Sequence, residues 1–236
     1  MAQTTRVYLC CSPNKRSGST TTARLLIDYF LWKGRGALGF DTDPHDPDFA
    51  KRFPNAVKVV DTAKIQGQIA MFDRLLVHDE TPKVVDVHHR CYDDFFETIG
   101  QIGFMEEARR AMVQPVALFH VDASADSLTA ASALAKRWPN LRLVIVRNKG
   151  AAPLGLDARD ILDRFPHSER FLIGAVDART WKAFDAQDFS LPGVLKAPPA
   201  NLSMATLISL RAWLTPIFRQ FQLFELGISM ENSQFL

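Results

Sequence analysis

The sequence predicts an α/β fold with a mostly parallel central sheet and helices on both faces. Three observations carry this. Short apolar runs alternate with longer amphipathic ones along the chain. The apolar runs are continuous, as strands buried on both faces require. No composition shift, internal repeat or low-complexity tract divides the 236 residues, which therefore read as one domain, 1–236.

Arg6–Cys11 is an apolar run and reads as the first strand. A Ser-, Asn- and Gly-containing turn follows, then a helix over Thr21–Trp32 with Ala23, Leu26, Ile27 and Phe30 on one face. Gly34 and Gly36 stop that helix. Ala37–Phe40 leads into Asp41–Pro44 as a second strand end, and Ala56–Val60 is a third strand. Ile65–Val77 is helical, and Lys83–Val87 is a strand ending in polar residues. Phe104–Met112 is a helix, Pro115–Val121 a strand, Ser127–Trp138 a helix and Leu141–Val146 a strand. Arg170–Val176 reads as the last strand. Pro198 and Pro199 precede a long helix over Leu202–Leu226, which Pro216 is expected to kink.

In such sheets ligands sit beyond the carboxyl ends of the strands. After the first strand comes Ser12–Ala23, rich in hydroxyls and holding Gly18. Backbone N–H groups and a helix N-terminus there favour an anion, with Lys15 and Arg16 beside it. Thr20 or Thr21 offers a hydroxyl to a nucleotide-bound Mg²⁺. The same run also reads as a plain turn with Ser/Thr helix capping. After the second strand, Asp41 and Asp43 can face one cleft, or form a surface turn with Pro44. Asp86 ends the strand at Lys83–Val87 and is followed by His88 and His89. Neighbours in an extended segment point to opposite faces, which argues against a metal pair of those two histidines. Asn148, just past a strand, carries one donor and one acceptor group suited to a base edge.

The order of these features resembles the ParA/MinD family of deviant P-loop ATPases from about Arg6 to Gly150, and implies the three-layer P-loop NTPase-like fold. Family members carry Lys-Gly-Gly-x-Gly-Lys-Thr-Thr at the first turn. The matching stretch here is Asn14-Lys15-Arg16-Ser17-Gly18-Ser19-Thr20-Thr21. Gly18, Thr20 and Thr21 match. Ser19 stands where the family has its second Lys, and Asn14 where it has the signature Lys that reaches a partner subunit's nucleotide. The resemblance implies ATP and Mg²⁺ as cofactors, with nucleotide contacts from Asn14 to Thr21 and from Asn148. It also implies metal contacts from Thr20, Asp43 and Asp86, and Asp43 orienting the attacking water. A homodimer and a protein partner follow from the same likeness.

Ser19 carries no charge to bridge the phosphates. Loss of a transition-state electrostatic donor typically costs ~10²–10³ in rate. The expected activity is therefore a nucleotide-dependent dimerisation switch in partition, conjugal transfer or protein positioning, with weakened ATP hydrolysis. A binding scaffold without turnover is the first alternative. An unrelated α/β enzyme using Asp41, Asp43 and His88 on a small substrate is the second.

Composition bounds the rest. A net charge of +2 excludes a uniformly basic surface. Residues 1–40 nevertheless hold Arg6, Lys15, Arg16, Arg24, Lys33 and Arg35 against Asp28 alone. That leaves nonspecific DNA binding open only to a local patch. Three cysteines make no disulfide framework, and Met1–Thr5 lacks the apolar core of a secretory signal, so a cytoplasmic location is expected. The final helix has Leu207, Leu210, Leu214, Ile217, Phe218 and Phe221 at helical spacing, with only Arg211 and Arg219 as basic residues. That charge pattern favours core packing over a membrane surface, with a partner interface in between.

Overall fold

The computed structural model describes residues 4–122, 124–151, 163–186, 191–196, 200 and 202–234. Seven strands form one sheet: β1 (Thr5–Cys11), β2 (Leu38–Asp41), β3 (Val57–Val59), β4 (Lys83–Val87), β5 (Val113–Val121), β6 (Arg142–Asn148) and β7 (Glu169–Ile173). Their order is β3-β2-β4-β1-β5-β6-β7, and every pairing is parallel. Each strand read from the sequence is present. The fold class is therefore the expected three-layer α/β arrangement.

The helices are α1 (Ser19–Trp32), α2 (Asp48–Arg52), α3 (Ile65–Leu75), α4 (Tyr92–Gln101), α5 (Phe104–Arg110), α6 (Ala125–Arg137), α7 (Ala178–Asp185), α8 (Leu191–Lys196) and α9 (Met204–Gln234). A 3₁₀ turn over His89–Cys91 precedes α4. Alternate residues of β1 enter opposite cores: Tyr8 and Cys10 face α1 and α9, while Val7, Leu9 and Cys11 face the layer of α3 to α6. Burial on both faces explains why the strands read as continuous apolar runs.

Helices α2, α4, α7 and α8 were not read from the sequence, and α9 differs in its bounds. Helix α2 has five residues, too few for a periodic pattern. Helix α4 does carry one, with Tyr92, Phe95, Phe96 and Ile99 buried. Helix α7 buries only Thr180 and Phe184. Helix α9 runs through Pro216 to Gln234, past the expected end at Leu226. Pro198 and Pro199 lie outside the described residues, as do Met1, Ala2 and Gln3.

The apolar stripe of α9 is core. Leu207, Leu210, Trp213, Leu214, Ile217, Phe218, Phe221, Phe224 and Ile228 are all buried against α1 and the sheet. A buried polar network fixes the helix in place. Glu225 accepts from Arg6 at 3.2 Å, from Arg35 at 2.9 Å and from the Tyr29 hydroxyl at 2.8 Å. Arg6 also donates to the Ser229 hydroxyl at 2.6 Å. Among the described residues no helix is long and apolar enough to cross a membrane.

The chain steps from β1 outward to β2 and β3, returns to β4, and then builds β5 to β7 on the other side. The direction reverses at β1 and β5. Connections diverge there, and a crevice opens at the carboxyl ends of the strands.

Candidate functional site

One cavity of about 900 Å³ occupies that crevice. Five separated segments and Trp213 of α9 line it: the segments are Asn14–Thr21, Asp41–Asp48, Asp86–Arg90, Asn148–Ala151 and Gly174–Trp181. Asn14, Lys15, Arg16, Ser17, Gly18, Ser19, Thr20, Thr21, Asp43, Asp86 and Asn148 all border it. The structure thus brings the whole sequence-predicted set together.

The first loop turns on two left-handed residues, Arg16 at φ 59° and Gly18 at φ 95°. Gly18 releases the chain into α1 two residues earlier than the expected Thr21, and its carbonyl accepts the first helical bond from Thr22 N–H at 3.1 Å. No side chain caps this N-terminus, and no acidic residue stands in its first turn. The plain capping reading of the Ser/Thr run is thereby not realised. The positive end of the helix dipole therefore borders the cavity.

Asn14 is held within its own chain. Its amide nitrogen donates to Asp122 Oδ2 at 2.7 Å and to the Ser124 hydroxyl at 3.0 Å. Ser124 in turn caps α6. The loop after β1 is therefore stitched to the loop after β5, across the reversal point.

The two aspartates after β2 divide their work. Asp41 accepts from Asp43 N–H through Oδ1 and from Phe49 and Ala50 N–H through Oδ2, at 3.0–3.1 Å. Burial raises its pKa, and those three donors oppose the rise. Asp41 thus starts α2 and shapes the turn, which narrows the sequence expectation that both carboxylates serve the cleft. Asp43 accepts from His45 N–H at 3.1 Å and Asp46 N–H at 3.3 Å, and its Oδ2 lies 3.3 Å from His88 Nε2. Burial alone would raise its pKa, but the backbone donors and the His88 ring outweigh it and hold the carboxyl below the usual range.

Thr42 sets that meeting. Its N–H and hydroxyl both donate to Asp86 O, at 3.2 and 3.0 Å, while His88 N–H donates to the Thr42 hydroxyl at 2.8 Å. The ends of β2 and β4 are locked in register, with Asp43 beside His88. The histidine pair departs from the sequence reading. His89 begins the 3₁₀ turn rather than continuing the strand, so the two rings stand 4.1 Å apart and both border the cavity. Burial first, then the neighbouring His88, lowers the His89 pKa.

Asp86 is buried, and its Oδ1 has no hydrogen-bond partner. Burial pushes its pKa up to about 7, opposed by the Thr20 and Ser19 hydroxyls and assisted by Asp41 and Asp43. An orphaned carboxylate oxygen beside a threonine hydroxyl suits a hard cation. Among the described residues no three His, Cys, Asp or Glu side chains converge on one point.

Asn148 lies inside the end of β6, slightly earlier in the architecture than its expected place past a strand. Its Oδ1 accepts from Gly150 N–H at 2.9 Å. Beyond it the cavity ends on Trp181 and Trp213, whose rings stand 6.3 Å apart. Both were missed from the sequence. Trp181 lies on a helix the sequence reading did not include, and Trp213 lies on the final helix, whose spacing pointed to packing rather than to a site. Arg90 was missed because it belongs to no motif and no periodic run.

No family model matches the chain, and no curated protein matches it. Among solved structures it is similar to a nucleotide-binding protein in complex with ADP from Archaeoglobus fulgidus, at 14% identity and a TM-score of 0.49, covering 82% of this chain and 91% of that one. It is also similar to a chain of the MinC:MinD cell division protein complex of Aquifex aeolicus, at 13% identity and a TM-score of 0.45, covering 92% and 96%.

Proposed function

We propose that this chain is a nucleotide-dependent switch of the ParA/MinD type that takes ATP with Mg²⁺ in the cavity above β1. The observation that supports it best is convergence. An uncapped helix N-terminus, a left-handed Gly18, the Thr20 hydroxyl and a buried carboxylate with an orphaned oxygen share one cavity wall.

In this reading the N–H groups from Asn14 to Thr21 cradle the phosphates, and Asn148 faces the base. Thr20, Asp43 and Asp86 are the groups that would hold Mg²⁺, which would neutralise phosphate charge. With no all-protein ligand set among the described residues, such an ion would keep phosphate and water oxygens in its shell. Asp43, held in place by two backbone donors and His88, orients the attacking water. Hydrolysis is weak because Ser19 brings no positive charge to the phosphates.

A scaffold without turnover is the second reading, and Asn14 favours it. In the family the lysine at that position reaches across a dimer, whereas Asn14 is spent on Asp122 and Ser124 of its own chain. A nucleotide-driven dimer engaging a protein partner belongs to the first reading; for DNA, Arg6, Arg24 and Arg35 are already paired with Glu225 and Asp185, which leaves Lys15, Arg16 and Lys33 of residues 1–40 as the basic groups to meet phosphates. Light scattering of the full chain with and without Mg-ATP separates the two. A shift from monomer to dimer mass with Mg-ATP supports the switch. An unchanged mass, with ATP bound, supports the scaffold.

A further inference from the structure

The loop after β1 has lost the cation that a phosphate-binding turn of this kind relies on, and Ser19 points its hydroxyl at Asp86 instead. The structure offers a replacement from the turn after β4. We propose that Arg90 supplies the positive charge that Ser19 lacks, reaching a bound nucleotide's phosphates from the turn after β4; this rests on the nucleotide reading above.

Four observations carry it. Arg90 borders the same cavity as Ser19 and Gly18, from the 3₁₀ turn that follows β4. That turn is fixed: Arg90 N–H donates to His88 Nδ1 at 3.4 Å, Cys91 N–H donates to His88 O at 2.9 Å, and the Cys91 thiol donates to Thr42 O at 3.5 Å. The same cavity is bordered by Asp43, Asp86 and His88, so Arg90 shares it with the carboxylates of the site. Finally, Arg90 has no ion pair among the described residues, whereas Arg24 is paired with Asp185 and Arg142 with Glu169 and Glu231.

Chemistry favours an arginine for this task. Its planar fork can meet two phosphate oxygens at once, and its charge persists at any working pH. Lys15 and Arg16 also border the cavity, but they project from the apex of the loop whose backbone would wrap the phosphates.

The test is a calorimetric titration of ADP with Mg²⁺ into the full chain, run on wild type, Arg90→Gln, Ser19→Lys and the double variant. Lys15→Gln, Arg16→Gln and the remote Lys33→Gln serve as comparators, and thermal melts check that each variant is folded. Arg90→Gln is expected to weaken ADP binding by at least about tenfold, the size of one lost charge-assisted contact. Ser19→Lys is expected to restore most of that loss in the Arg90→Gln background, because both residues serve one phosphate chain. An Arg90→Gln loss no larger than that of Lys33→Gln overturns the proposal, as does a loss that Ser19→Lys leaves untouched. A larger loss from Lys15→Gln or Arg16→Gln also overturns it. If wild type binds no ADP, the nucleotide reading and this proposal fall together. If wild type binds and only Arg90 proves silent, the nucleotide reading stands alone.

Discussion

A Cβ on Gly18 would fall 2.1 Å from the side-chain nitrogen of Asn148. Two residues far apart in sequence, one at the N-terminus of α1 and one at the end of β6, thus lie against each other at the cavity. Gly18 also sits at φ 95°, where an L side chain is strained. Gly18→Ala is therefore expected to lower stability by about 1–3 kcal/mol and to weaken nucleotide binding. Asn148→Gly in the same chain should recover the steric part and leave the backbone strain. Chemical denaturation of the single and double variants measures both.

Asp86→Asn should move stability and binding in opposite directions. The buried carboxylate has an orphaned oxygen, so removing its charge is expected to raise stability by about 1–3 kcal/mol at pH 8. The same change removes a cation ligand, so the gain in ATP affinity on adding Mg²⁺ should shrink. Melts at fixed pH, and titrations with and without Mg²⁺, read the two effects separately. Loss of stability together with an unchanged Mg²⁺ dependence would contradict the assigned role.

His120 sets an acid limit on the fold. It is wholly buried on β5, with the Ser17 backbone beside its ring. Burial lowers its pKa from 6.5 to about 3, with the Ser17 backbone opposing. Between those values the unfolded chain binds a proton that the folded chain does not. Stability from this group is therefore complete above about pH 6.5 and is lost as pH falls towards 3, by at most about 1.4 kcal/mol per unit. Asp28 and Asp86, with pKa values raised to about 7, act in the opposite sense over part of that range. The informative quantity is thus the difference between wild type and His120→Leu across pH. That difference should grow in favour of the variant on acidification.

Glu225 is the anchor of α9. Glu225→Ala leaves the buried Arg6 without its carboxylate, and about 3–5 kcal/mol of stability should go with it. A truncation before Leu223 removes Phe224, Glu225 and Ile228 together, all of them buried. It should therefore unfold the chain. A folded, soluble truncation would argue against the core role of this helix.

The sheet was legible because its strands are buried on both sides, and a continuous apolar run as short as Leu141–Val146 suits a strand covered by helices on each face. The first-loop residues were legible because hydroxyls, Gly18 and two cations cluster between a strand and a helix. Other features were hidden for physical reasons. Asp41 looks the same as Asp43 in sequence, and only the arrival of Phe49 and Ala50 N–H groups makes it structural. His89 leaves the extended path because the chain turns after His88, which no periodicity announces. Trp181 and Trp213 reach the cavity only through the packing of α7 against α9. Helix α4, by contrast, had the spacing of a helix in plain view.

The most direct test of the nucleotide site is calorimetric titration of Mg-ATP into the full chain beside the Gly18→Ala variant. Saturable one-to-one binding to wild type, sharply weakened in the variant, is the expected result. Heats of dilution alone at millimolar ATP, in a chain shown to be folded, would contradict a nucleotide site at the carboxyl end of β1.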